Sequence, residues 1–159
     1  DCVVAADVGY GQLAWEIQQN PKVIILDRTN IRHLTGELVG DPIDLVVADL
    51  SFISLTLVLP ALAAVSKPEA DYVLMVKPQF EVGRERLGAG GVVRDPALRK
   101  AAVLEVAESA YDVGLGTLGV TASPLPGPAG NVEYFLWLRR GAPAIDEAAL
   151  DRAIEIGPQ

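Results

Sequence analysis

Val3-Val-Ala-Ala-Asp-Val-Gly-Tyr-Gly-Gln-Leu13 decides the fold, because the position given to its acid sets the strand count for everything that follows. A short apolar run ends at Asp7, a glycine-bearing turn comes next, and Gly11 to Gln19 reads as a short helix stopped by Asn20-Pro21. Asp27 then stands about twenty residues on, at the end of a second apolar run, where a dinucleotide fingerprint keeps its ribose-binding acid. On spacing alone this is a nucleotide site with Asp7 on a first strand. In the other reading, Asp7 closes a second strand and Gly9 and Gly11 merely ease a turn.

Working outward, strands are predicted at Cys2 to Ala6, Val23 to Leu26, Asp44 to Ala48 and Tyr72 to Val76. Each run is apolar on both faces, as buried parallel strands are. Leu55 to Val65 and Pro96 to Val113 read as helices, the second opened by an Asp95-Pro96 cap and ended at Gly114. Leu118 to Ala122 and Val132 to Leu138 are joined by the turn-rich 123–130 with no room for a helix, which predicts an antiparallel pair. Asp146 to Glu155 reads as a short polar helix. The order predicts an α/β fold with a mostly parallel sheet and an antiparallel last strand. Residues 1–140 are expected to form the domain and 141–159 a tail.

Composition narrows the function. The 159 residues are half hydrophobic, enough for one sizeable core. One cysteine, Cys2, and one histidine, His33, exclude a disulfide framework and a structural zinc cluster, so no metal is expected and a reducing cytoplasm fits. The longest apolar stretch, Ile53 to Val65, is too short to span a bilayer and contains Pro60. The net charge of −8 argues against a nucleic-acid partner unless a basic surface is supplied elsewhere. The chain opens on Asp1 directly before an apolar run, which reads as a fragment of a longer protein.

In open α/β sheets chemistry collects beyond the carboxyl ends of the parallel strands. Those ends carry Asp7, Asp27 to Asn30, Asp49 and Lys77, and the start of an antiparallel last strand adds Asn131 and Glu133. Carboxylates and one lysine from separated segments are thus expected on one rim. Among the rest, Asp27 is expected to pair with Arg28 or cap a turn, His33 to lie at the surface, and Trp15 and Trp137 to sit in the core. Arg84, Arg86 and Arg94, in the loop from Pro78 to Asp95, are candidates to clamp phosphates, a mobile solvated loop being the alternative.

The stretch quoted above, together with Asp44-Leu-Val-Val-Ala-Asp-Leu-Ser-Phe-Ile-Ser-Leu55, Val76-Lys-Pro-Gln-Phe-Glu-Val-Gly83, Gly91-Val-Val-Arg-Asp-Pro96 and Gly130-Asn-Val-Glu-Tyr134, resembles the TlyA (hemolysin A) family. Its members are ribosomal-RNA 2′-O-methyltransferases with an FtsJ-like catalytic domain. The resemblance implies a Rossmann-like class I methyltransferase sheet and puts Asp7 on the second strand, with the first strand and its glycine-rich loop missing from this sequence. It also implies S-adenosylmethionine as cofactor, ribosomal RNA or a ribosomal subunit as partner, an N-terminal S4-type RNA-binding domain absent here, and no membrane.

Asp49, Lys77 and Glu133 match the last three members of the family's Lys-Asp-Lys-Glu tetrad, and the first lysine has no counterpart. The implied reaction moves a methyl group from a sulfonium to a ribose hydroxyl, which needs a base and an in-line geometry. Lys77 is the candidate base; a lysine serves only in its neutral form, which desolvation or a second cation favours. Asp49 would orient the lysine and lie near the sulfonium, and Glu133 would hold the lysine by a charge-assisted hydrogen bond. Asp7 would bind the cofactor ribose and Asn30 its adenine. The alternatives are a nicotinamide-binding oxidoreductase and a non-enzymatic protein, either an inert fragment or a hemolysin-like one.

Overall fold

The computed structural model describes residues 2–158. Strands β1 (Val3–Ala6) and β2 (Val23–Leu26) form a parallel pair. A second sheet contains β3 (Ile43–Ala48), β4 (Ser66–Val76), β5 (Leu115–Ala122) and β6 (Tyr134–Arg140) in the order β3-β4-β6-β5. β3 and β4 are parallel, and β6 lies antiparallel between β4 and β5, so β3, β4 and β5 share one direction. Among the described residues no ladder joins the two sheets.

The helices follow from capping and proline chemistry. α5 (Pro96–Asp112) starts where the Asp95 side chain accepts from Ala97 N–H at 2.9 Å and proline fills the first turn. It stops at Gly114, whose φ of 84° suits glycine. Two helices are shorter than expected. Gly11 has a φ of 64°, so the helix expected from Gly11 cannot begin there, and only α1 (Trp15–Gln18) forms. The stretch Leu55 to Val65 divides into a 3-10 turn, Leu55–Leu57, and α3 (Leu59–Ala64). Pro60 lies in the first turn of α3, where its missing N–H is tolerated; inside one long helix it would break the ladder. α2 (Gly36–Val39), α4 (Pro78–Glu81) and α6 (Glu147–Ile156) complete the helices.

Alternation along the strands sets the core. β4 buries Ala70, Tyr72, Leu74 and Val76, while β6 buries Tyr134, Leu136 and Leu138. α5 covers these with Val103, Val106 and Ala110, α3 adds Leu59 and Leu62, and α6 closes over β5 with Leu150 and Ile154. Each such leucine contributes about 1.5–3 kcal/mol by leaving water. The opposite strand positions face outward, with Val47 71 % exposed.

Both tryptophans depart from the expected core positions: Trp15 is 69 % and Trp137 44 % exposed. Trp137 stands on the outward side of β6, and its indole N–H donates to Asp71 Oδ1 at 2.7 Å. The cross-strand partner Arg139 grips the same carboxylate through Nε at 2.9 Å and Nη2 at 2.7 Å. An indole amphipathic enough to use such a partner need not be buried. Among the described residues no helix is long and apolar enough to cross a membrane.

Candidate active site

β3, β4 and β6 bring Asp49, Lys77 and Glu133 to one rim. Asp49 follows the last residue of β3, Lys77 follows the last residue of β4, and Glu133 precedes the first residue of β6. The final rung of the β4–β6 ladder pairs Val76 with Tyr134, which places Lys77 and Glu133 just beyond the same rung. Extended apolar strands end here because the next residues carry charge and the chain turns.

Lys77 Nζ forms an ion pair with Asp49 Oδ1 at 2.6 Å and donates to Ser51 Oγ at 3.2 Å. The lysine side chain is only 12 % exposed and the aspartate 65 %, so the pair has one sheltered and one open end. Glu133 departs from its expected role. Among the described residues no ion pair joins it to Lys77; its Oε1 accepts from Gln79 Nε2 at 3.1 Å. Glu133 is buried, and Gly127 lies against it so closely that a Cβ there would sit 2.8 Å from Oε1. Glycine at 127 makes room for the carboxylate.

Asn131, also buried, accepts from Val93 N–H at 2.9 Å and donates to Gly91 C=O at 3.1 Å. It pins the end of the arginine-bearing loop to the rim. Arg84, Arg86 and Arg94 are exposed on that loop, which starts with α4 and continues in 3-10 turns at Arg84–Arg86 and Ala89–Gly91.

The first sheet presents its own polar end. Asp7, exposed, accepts from Gly9 N–H through Oδ1 at 2.6 Å, which leaves Oδ2 open toward solvent. Asp27 Oδ2 accepts from Gly11 N–H at 3.2 Å, tying the glycine turn down rather than pairing with Arg28. Arg28 instead stacks on Tyr10, 4.7 Å from the ring centroid. Asn30 Oδ1 accepts from Arg32 N–H at 3.0 Å and caps the 3-10 turn Ile31–His33; its amide nitrogen is left to donate. His33 is exposed there, as expected.

Three residues of this rim carry signals that the sequence reading passed over. Phe52 is 91 % exposed and holds a φ of 64°, a backbone region that a bulky side chain rarely enters. Its ring meets Phe80 at 5.1 Å between centroids. Gln79 and Glu81 flank Phe80 and reach to Glu133 and Ser54 respectively. A large apolar residue three positions after the strand-end acid Asp49, fitting neither helical nor strand periodicity, is the visible hint for Phe52.

A rim of this construction, with its sheet order, is that of a Rossmann-like methyltransferase. The FtsJ-like methyltransferase family model matches residues 1–140, and the chain belongs to that family. It is 57 % identical over 162 residues to the 16S/23S rRNA (cytidine-2′-O)-methyltransferase TlyA of Mycobacterium tuberculosis, an alignment covering 98 % of this chain and 60 % of TlyA. A hemolysin structure from Streptococcus thermophilus superposes with a TM-score of 0.91 at 33 % identity, over 97 % of this chain and 57 % of that one. One from Lactococcus lactis gives 0.86 at 34 %, over 95 % and 76 %. The chain thus spans about 60 % of the length of its TlyA relative. Family membership sets aside the nicotinamide reading of the Asp7 turn.

Proposed function

We propose that the full-length protein is an S-adenosylmethionine-dependent methyltransferase acting on the ribose 2′-hydroxyl of ribosomal RNA, with cytidine the target named for its TlyA relative. The observation that carries this reading is the sheltered Lys77–Asp49 pair at the rim, with Glu133 held beside it through Gln79. When bound, the cofactor supplies an electrophilic methyl group on a sulfonium. Asp7, with one carboxylate oxygen open to solvent at the end of β1, suits a ribose diol, and Asn30 retains an amide donor for an adenine ring nitrogen. The residues present therefore fit the group.

Lys77 would accept the proton of the 2′-hydroxyl at Nζ. Asp49 orients Nζ, and its exposed carboxylate would offer negative charge to a bound sulfonium. Glu133, buried and anchored by Gln79, adds negative potential on the far side of the rim. Arg84, Arg86 and Arg94 contact backbone phosphates, which position RNA without reading its sequence. A chain with a net charge of −8 needs further basic surface to bind RNA, and an S4-type domain in the full-length protein supplies it. The separation of the β1–β2 pair from the four-stranded sheet supports placing a further strand between them, with Asp7 on the second strand of the complete sheet.

The test is to incubate the full-length protein with ribosomal subunits and S-adenosylmethionine labelled on the methyl group, then digest the RNA to nucleosides. The reading predicts label in 2′-O-methylcytidine. Label on a base, or none in RNA, overturns it.

A further inference from the structure

The loop that carries Asp49, Ser51 and Phe52 has little of its own to hold it. Among the described residues, the backbone of 50–53 makes no hydrogen bond to other backbone. Phe52 adds a positive φ of 64°, an unfavourable conformation that persists only when surroundings enforce it. Leu50 and Ile53 dip toward the core, but apolar packing does not fix the direction of polar side chains. Loops of this kind open at low free energy unless something pins them.

Among the described residues, Lys77, Phe80 and Glu81, all from one short stretch, supply polar and aromatic contacts to this loop. Lys77 takes Asp49 and Ser51. Phe80 takes Phe52. Glu81 takes the far end: Oε2 accepts from Ser54 Oγ at 2.5 Å and Oε1 accepts from Leu55 N–H at 3.0 Å. Glu81 is half-buried, and these two bonds replace part of the hydration that its carboxylate gives up. Burial does push the Glu81 carboxyl above its ordinary range, with the Ser54 and Leu55 bonds pulling the other way.

We infer that Glu81 is a positioning residue, which clasps the loop at Ser54 and Leu55 and thereby sets Asp49, Ser51 and Phe52 in register with Lys77. The inference rests on the methyl-transfer reading for its catalytic consequence, but the clasp itself is a property of the fold. Glu81 touches no reacting atom. It acts through the loop, and the four-residue helix α4 joins it to Lys77, the residue that precedes that helix.

The experiment uses the full-length protein labelled with 4-fluorophenylalanine, with the Phe52 signal assigned through Phe52→Leu. Glu81→Ala and Glu81→Gln are compared for fluorine spectrum, melting temperature, cofactor affinity, and kcat and KM of methyl transfer. Gln keeps the shape, can accept from Leu55 N–H and can donate to Ser54. The clasp predicts that Glu81→Ala moves or broadens the Phe52 signal but not that of Phe135, and lowers kcat about tenfold or more with cofactor affinity unchanged. It also predicts that Glu81→Gln restores most of both. An unmoved Phe52 signal in Glu81→Ala overturns the inference, as does a Gln variant no better than Ala. If the wild type transfers no methyl group, the functional reading falls, and the fluorine spectra alone decide the clasp.

Discussion

Lys77 and Glu133 lie just beyond one rung of the β4–β6 ladder without forming an ion pair, and Gln79 supplies the donor that Glu133 accepts. The lysine spends its own reach on Asp49 and Ser51 instead. The acid on the far strand is therefore tied to the lysine through two residues of chain. That arrangement leaves Asp49 as the carboxylate that Nζ meets directly among the described residues.

Gln79→Leu removes the donor that the buried Glu133 carboxylate uses among the described residues. An unsatisfied buried acceptor costs about 1–3 kcal/mol or more when charged, so this variant is expected to melt several degrees lower. Thermal unfolding followed by circular dichroism checks it. An unchanged melting temperature would mean that Glu133 finds another donor or water.

The backbone at Phe52 offers a sharper test, because it inverts a familiar ranking. At an ordinary position glycine is less stable than alanine by about 0.5–1 kcal/mol. At a φ of 64° the Cβ itself is the problem. Phe52→Gly is expected to be more stable than Phe52→Ala by about 1 kcal/mol. Both variants lose the exposed ring, so the comparison isolates the backbone. Urea denaturation of the pair reads the difference, and alanine equal to or above glycine would remove the claim of strain.

Acid stability depends on Asp71. The Arg139 guanidinium first, then the Trp137 indole, hold its carboxyl below its ordinary value of 3.8. A lowered folded value means that the native state resists protonation. The stabilisation is then complete above 3.8 and drains away as pH falls through the lower folded value. Asp71→Asn is expected to flatten this acid limb while changing the urea midpoint little near neutrality, since the pair is exposed and screened. Equal acid limbs in variant and wild type would show that the contact carries no proton linkage.

Much of the fold is legible in local chemistry. The Asp95-Pro96 cap and the glycine at 114 each mark an end that the structure keeps, and the strand-end acids of β1 and β3 stand where apolar runs stop, whereas the helix expected from Leu55 begins only at Leu59, with Pro60 in its first turn. β4 is less legible. It begins at Ser66, because Lys67-Pro-Glu69 reads as a polar linker while pairing with β3 through Ile43 and a register shift extends it. Trp137 departs from its expected core position for a related reason: hydrophobic size says nothing about which side of a sheet is covered. At the rim, Asp49 and Lys77 could be paired from topology alone. Gln79, Glu81 and Phe52 could not, since each earns its role from a partner between twenty-six and fifty-four positions away.

The central claim is that Lys77 takes the proton from the acceptor hydroxyl. Single-turnover methyl transfer by full-length Lys77→Ala, with S-adenosylmethionine affinity measured by calorimetry on the same sample, tests it most directly. A missing general base predicts a rate lower by about 10²–10⁴-fold with cofactor binding nearly intact. Wild-type transfer rates in that variant would contradict the account.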